Sequence, residues 1–224
     1  MRNRSKKLAP SAMGTGLRIG IDFDNTLINY DDVFFAMAKR SGLIGSGVPS
    51  RKRDVRDAIR KLPDGELTWQ RLQGQVYGKG IAGAAMAAGA KTFLHRCCVD
   101  GCVVVIVSHK TEYGHYDPDQ MNLRKAALDW MTAQGLFDGD YGISLGNVYF
   151  ESTRAEKLGR IAVLGLTHFI DDLKEVLADP DFPPNVERIL FADEAQPQAA
   201  SCIACSTWGE IEKQVFGGAA FERT

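Results

Sequence analysis

The sequence predicts an α/β protein built on an open sheet with right-handed crossovers, interrupted early by a helical insertion. Three observations point there. Strand-like apolar runs recur along the 224 residues, capped helical stretches separate them, and one long helix-rich segment breaks the alternation.

The strand signals are Leu17 to Phe23, Cys102 to Val107, Asn147 to Phe150, Thr167 to Ile170 and Glu187 to Phe191. The second, within "CVVVIVS", is a continuous β-branched run, as suits a parallel strand buried on both faces. Between the strands, "DPDQMNLRKAALDWMTAQG" reads as a helix with Asp117 as N-cap, Pro118 at the first position, Gln120 at the capping-box position and Gly135 as a stop. "TRAEKLGRIAVLG" opens on a Thr153 and Glu156 capping box and closes at Gly165, and "TWGEIEKQVFG" repeats the device with Thr207 and Glu210. Nearly eighty residues separate the first strand from "CVVVIVS" without a convincing strand. A structureless loop of that length is implausible, so 30–83 is expected to be an inserted helical subdomain, with 17–29 and 84–224 forming the core.

Composition narrows the function classes. Hydrophobic residues are 45% and charged residues 25%, as in an ordinary soluble domain. A formal net charge of −1 offers no attraction for nucleic acid or an anionic membrane, and no apolar run approaches the roughly 18–20 residues that span a bilayer. Residues 1–16 hold four basic residues with no apolar stretch behind them, so they read as a flexible basic tail rather than a secretory signal. Cys202 and Cys205 form a lone C-x-x-C without the further ligands a zinc site needs. The five cysteines read as reduced, mostly buried thiols of a cytoplasmic protein.

In an open α/β sheet, ligands bind beyond the carboxyl ends of the strands. The first strand ends in Asp22 and Asp24, the second in Ser108, His109 and Lys110, and "HFIDD" in Asp171 and Asp172. Lys157 lies one turn into the helix before that last strand. If extended geometry persists past Ile21, Asp22 and Asp24 share a face and Phe23 points opposite. Paired carboxylates at a buried strand end repel each other and are costly to desolvate, and a hard divalent cation such as Mg²⁺ would relieve both penalties. An EF-hand reading fails, because Leu27 stands where that loop needs glycine and Val33 where it needs glutamate.

"DFDNTL", "VVVIVS", the Lys157 helix and "FIDD" resemble, in order and spacing, the four motifs of the haloacid dehalogenase-like (HAD) superfamily. The first motif, D-x-D-x-T-L, is met by Asp22, Asp24, Thr26 and Leu27. The resemblance implies a Rossmann-like three-layer α/β/α core with a parallel sheet, a helical cap inserted after the first motif, and Mg²⁺-dependent aspartyl-phosphate chemistry. It implies Asp22 as nucleophile, Asp24 as acid and base, and Ser108 and Lys157 as partners of the phosphoryl oxygens. Metal ligands would be the Asp22 side chain, the Asp24 carbonyl and Asp171, with Asp172 in support. Family dehalogenases lack the second acid of the first motif, so Asp24 favours phosphoryl transfer. Thr26, His109 and Lys110 are expected on the substrate side.

The reading is a phosphatase acting on a small soluble phosphorylated metabolite. The alternatives are a phosphomutase with the same intermediate, or a non-catalytic regulatory protein on this fold. Two stretches carry competing readings. "GKGIAG", Gly78 to Gly83, follows no convincing strand and reads as a cap-to-core hinge rather than a dinucleotide loop. "RKRDVRDAIRK", Arg51 to Lys61, reads as a solvated helix with Arg53–Asp57 and Asp57–Lys61 pairs, or as a cap surface gripping a second anionic group of the substrate.

Overall fold

The computed structural model describes residues 15–114, 119–192 and 202–217. In chain order the first half forms β1 Arg18–Ile21, β2 Ile28–Asn29, α1 Asp31–Arg40, α2 Lys52–Ile59, α3 Gly65–Tyr77, β3 Ala85–Met86, α4 Ala90–Val99 and β4 Val103–His109. There follow α5 Leu123–Ala133, β5 Val148–Glu151, α6 Arg154–Val163, β6 His168–Asp171, α7 Lys174–Leu177, β7 Glu187–Phe191, β8 Ile203–Cys205 and α8 Trp208–Gly217.

Six strands make one parallel sheet in the order β5-β4-β1-β6-β7-β8. Side-chain alternation on β4 explains why its apolar run is unbroken. Val104 and Ile106 join a cluster with residues of α4, α5 and α8, while Val105 and Val107 join a separate cluster with Leu158 and Ile161 of α6 and Val176 of α7. Both faces are therefore covered, giving an α/β Rossmann-like architecture. The strands β1, β4 and β6 stand side by side, so the chemistry-bearing residues at their carboxyl ends share one rim.

Helices α1, α2 and α3 lie between β2 and β3, two short strands that pair antiparallel, Ile28 with Met86 and Asn29 with Ala85. The chain thus leaves and re-enters through a narrow two-stranded neck. Aromatic packing holds α1 and α3 to each other and to the neck. Phe34 stacks on Trp69 at 4.8 Å, and Tyr77 meets Tyr30 and Phe34 edge-on. The Trp130 indole N–H on α5 donates to the Ala84 carbonyl at 2.9 Å and ties the end of this segment to the core. The glycine-rich stretch forms a 3₁₀ turn, Lys79–Gly83, rather than an extended connection. A Cβ on Gly80 would approach Met37 and Val33 of α1 to 3.0 and 3.1 Å, so this glycine serves close helix packing.

Two local expectations are corrected. Helix α5 starts at Leu123, where the Asn122 side chain accepts from the Lys125 N–H, and Gln120 sits at φ 46, outside the helix. The expected caps Asp117 and Pro118, like most of the N-terminal tail, lie outside the described residues. Strand β8 carries the C-x-x-C region and was absent from the strand reading; Cys205 is buried against Trp208 and the α8 face, and all five cysteines are free. The Thr153–Glu156 capping box forms as read, with both of its reciprocal hydrogen bonds. No described helix is long and apolar enough to cross a membrane.

Gly20 on β1 lies directly opposite Phe169 on β6. A Cβ there would come within 2.5 Å of the Phe169 ring and of a Leu166 methyl, both buried. Overpacking of this kind costs about 1–3 kcal/mol, more than the ~0.4–1 kcal/mol a glycine-to-alanine change gains from the unfolded chain. Gly20→Ala should therefore lower the urea midpoint with an unchanged denaturant slope, and an unshifted midpoint would contradict the packing.

Candidate active site

The chain at the end of β1 does not stay extended. The Asp22 N–H still donates to the Ile170 carbonyl at 2.8 Å, keeping that residue in sheet register. Beyond it, the Leu27 and Ile28 N–H groups both donate to the Phe23 carbonyl at 3.1 Å and close a tight turn. Asn25 takes φ 62 within this turn, a left-handed conformation that asparagine tolerates better than most residues. The extended geometry expected past Ile21 therefore gives way to a turn from Phe23 onward. Phe23 is buried as expected, edge-on to Trp130 at 5.6 Å.

The turn gives the two acids different partners. Lys110 Nζ donates to both Asp24 oxygens at 3.0 and 2.8 Å, and the Tyr30 hydroxyl donates to Asp24 Oδ1 at 2.6 Å. Burial, followed by the adjoining Asp24 charge, pushes the Tyr30 phenol well above its ordinary value, so it is a firm donor. Lys110, expected on the substrate side, is buried and committed to Asp24. Tyr30 was not among the sequence candidates.

Asp22 belongs to a second group. The capping box starts α6 so that Lys157, one turn in, enters the core at 1% exposure. Its ammonium donates to Asp22 Oδ1 and to Asp171 Oδ2, each at 2.6 Å. Burial alone would lower the Lys157 pKa, but Asp22 and Asp171 outweigh it and raise it, so the lysine is charged. Lys157, with the charge of Lys52 also acting on Asp172, does not balance three acids. Carboxylate oxygens of Asp22, Asp171 and Asp172 all lie within 4.8 Å of one another. Burial, and then repulsion from Asp171 and Asp172 against the attraction of Lys157, holds the Asp22 carboxyl well above the usual range. Burial and the adjacent Asp171 push Asp172 up to about 7.

Two buried hydroxyls are left without partners among the described residues, Ser108 Oγ and Thr26 Oγ1. Each sits where the chain leaves a central strand, β4 for Ser108 and the β1 turn for Thr26. An unpaired buried hydroxyl is costly unless a ligand atom satisfies it. His109 lies on the other side of β4's pleat, its ring bonded to the Ser152 carbonyl at 3.0 Å; no hydrogen bond or ion pair among the described residues joins it to the acids.

The basic helix reaches the same rim. Lys52, at the start of α2, donates from Nζ to Asn25 Oδ1 at 3.1 Å and lies 5.5 Å from the Phe34 and Tyr77 rings. Asn25 thus shapes the turn and anchors a lysine from the inserted helices. Lys52 was legible only as one member of a basic run.

The donor set suits a hard cation. Three clustered carboxylates with oxygen donors only, two of them raised by burial and mutual repulsion, match what Mg²⁺ accepts. The Asp24 carboxylate, engaged by Lys110 and Tyr30, stands apart from this set.

No protein-family model and no curated protein matches the sequence, but solved structures resemble the fold. A predicted phosphoglycolate phosphatase from Haemophilus somnus superposes with a TM-score of 0.54 at 18% identity, covering 91% of this chain and 100% of that one. A HAD-superfamily hydrolase of subfamily IA from Geobacter sulfurreducens gives 0.54 at 13% identity, covering 92% and 100%. A dehalogenase with an intermediate complex gives 0.54 at 12% identity, covering 89% and 97%. The chain has the fold of the HAD-superfamily hydrolases, as the four motifs implied.

Proposed function

We propose that the chain is a Mg²⁺-dependent phosphatase of the HAD superfamily that hydrolyses a small phosphorylated metabolite through an aspartyl-phosphate on Asp22. The observation that carries this reading is the convergence of a charge-deficient acid cluster, Asp22, Asp171 and Asp172, with two partnerless hydroxyls at one rim of the sheet. Asp22, Asp171 and Asp172 would hold the cation, with the Asp24 carbonyl completing the protein's share. A bound Mg²⁺ supplies Lewis-acid polarisation of a phosphoryl oxygen and offsets the repulsion among the acids.

The chain's own residues divide the remaining work. Asp22 attacks phosphorus as the ester P–O bond breaks, and Asp24 gives its proton to the leaving oxygen. In the second half Asp24 takes a proton from water as that water attacks the phosphoryl group, and the Asp22–phosphorus bond breaks to free inorganic phosphate. Lys110 and the Tyr30 hydroxyl, both bonded to the Asp24 carboxylate, hold it in position for both halves. Ser108 and Thr26 are placed to donate to phosphoryl oxygens, and Lys157 orients Asp22 and carries compensating charge. The free cysteines suit a reducing compartment, and we assign the protein to the cytoplasm.

The test is inorganic phosphate release from a panel of small phosphate esters, with Mg²⁺ and with excess EDTA. Release that needs Mg²⁺ supports the reading. Rearranged substrate with little free phosphate would make the protein a mutase, and halide release from haloacids with no phosphatase activity would make it a dehalogenase.

A further inference from the structure

Asp172, one member of the acid cluster, borders a larger space. A cavity of about 410 Å³ runs from Asp172 and Asn25 at the rim to Arg51, Lys52, Arg53 and Arg56 on the inserted helices. That volume falls within the range of sites for small ligands. Helix α2 builds the basic wall. Val55 and Ile59, four residues apart, are buried and fix the rotation of the helix; Lys52 and Arg56 flank that buried stripe, Arg53 lies further round, and all three line the cavity.

Of Arg53 and Arg56, only Arg56 is paired within the helix. The Arg53–Asp57 and Asp57–Lys61 pairs expected from the sequence do not form. Asp57 instead accepts from Arg56 Nε at 2.9 Å, and α2 ends at Ile59, before Lys61. Arg53 is exposed, and no hydrogen bond or ion pair engages it among the described residues. Arg56 spends one of its five N–H donors on Asp57. Lys52 is committed to Asn25 and the aromatic rings beside it.

We infer that Arg53 and Arg56, with Arg51 at the margin, form a subsite for a second anionic group, a carboxylate or a phosphate, on the substrate's far end. The inference rests on the phosphatase reading and narrows it to phosphate monoesters anionic at both ends. The scissile phosphoryl group lies at Asp22, while the guanidinium groups take the other anion in the planar geometry for which arginine is suited. Lys52 and Asn25 stand between the two ends and link the wall to the turn that carries the catalytic acids.

The experiment compares phosphate release from matched esters with Mg²⁺. One pair is 3-phosphoglycerate against glycerol 3-phosphate, which differ by a carboxylate in place of a hydroxymethyl group. The other is propane-1,3-diyl bisphosphate against 3-hydroxypropyl phosphate, so the two arms distinguish a carboxylate from a phosphate. The expected result is a kcat/KM ratio of about tenfold or more for the doubly anionic member of at least one pair. In Arg53→Gln/Arg56→Gln that ratio falls toward one, chiefly through KM. Arg60→Gln, just past the end of α2 and bound to Glu66 outside the cavity, retains it. A parent ratio near one in both pairs, or a ratio unchanged in the double variant, overturns the subsite. If no ester is hydrolysed, the phosphatase reading fails, and calorimetric binding of 3-phosphoglycerate against glycerol 3-phosphate decides the subsite alone. Tighter binding of the former, lost in the double variant, sustains it, and equal binding ends it.

Discussion

Asp22→Asn should abolish phosphate release while leaving the protein at least as stable as the parent. The amide keeps the shape but is no nucleophile toward phosphorus. A fall on the order of 10³-fold or more, about 4 kcal/mol of barrier, is expected. Stability should not fall, because the carboxyl it replaces is disfavoured as an ion by burial and by Asp171 and Asp172. Lys157 keeps Asp171 as a partner at 2.6 Å, so the change strands no buried charge. Asp24→Asn separates the two halves of the reaction. With p-nitrophenyl phosphate, whose leaving group needs little protonation, the variant should release a stoichiometric burst of nitrophenol and then stall for want of a base. Rapid-quench kinetics and a melting curve read both effects. An Asp22→Asn protein that turns over at the parent rate would remove Asp22 from the chemistry.

What the sequence disclosed was set by how local each signal is. Strand ends are local: an apolar run stopping at Asp22, Ser108 or Asp171 marks a rim residue without knowledge of the fold. Lys157 was legible because a capping box fixes the start of α6 and therefore which residue lies one turn in. The Asp24 clamp was hidden because Lys110 is 86 residues away and follows its strand as any polar loop residue might. The turn at residues 23–27 was misread because strand alternation was carried past the last ladder residue, Ile21. Asn25 held the missing information, since an asparagine between Asp24 and Thr26 is a turn signal as well as a polar spacer. The three residues of β8 are too few to show a period, and only pairing with β7 reveals them. Asn122, whose side chain caps α5 directly, carries an N-cap signal no stronger than that of its polar neighbours.

Lys157→Met should be the most destabilising single change at the site. The lysine lies between Asp22 and Asp171, all three nearly or fully buried, and methionine matches its volume without its charge. Removing one partner of a buried ionic cluster costs about 3–5 kcal/mol, because the other charges are left uncompensated. The loss should depend on pH in a stated direction. A carboxyl whose folded pKa is raised binds its proton more tightly folded than unfolded. Its contribution to stability is therefore whole below the unfolded value of 3.8 and is lost as pH rises through the folded value, about 7 for Asp172. The metal-free parent should accordingly lose stability from these groups between about pH 4 and pH 7. Lys157→Met, which removes the largest opposing charge on Asp22, should lose more and over a window reaching higher pH. Mg²⁺ binds only the ionised acids, so the stability it adds should grow with pH and be larger in the variant than in the parent. Guanidinium unfolding at pH 5 and pH 8, metal-free and with MgCl₂, measures all four conditions. A variant as stable as the parent at pH 8 without metal would mean that the lysine does not hold the cluster together. A Mg²⁺ increment equal at the two pH values would mean that these carboxylates are not its ligands.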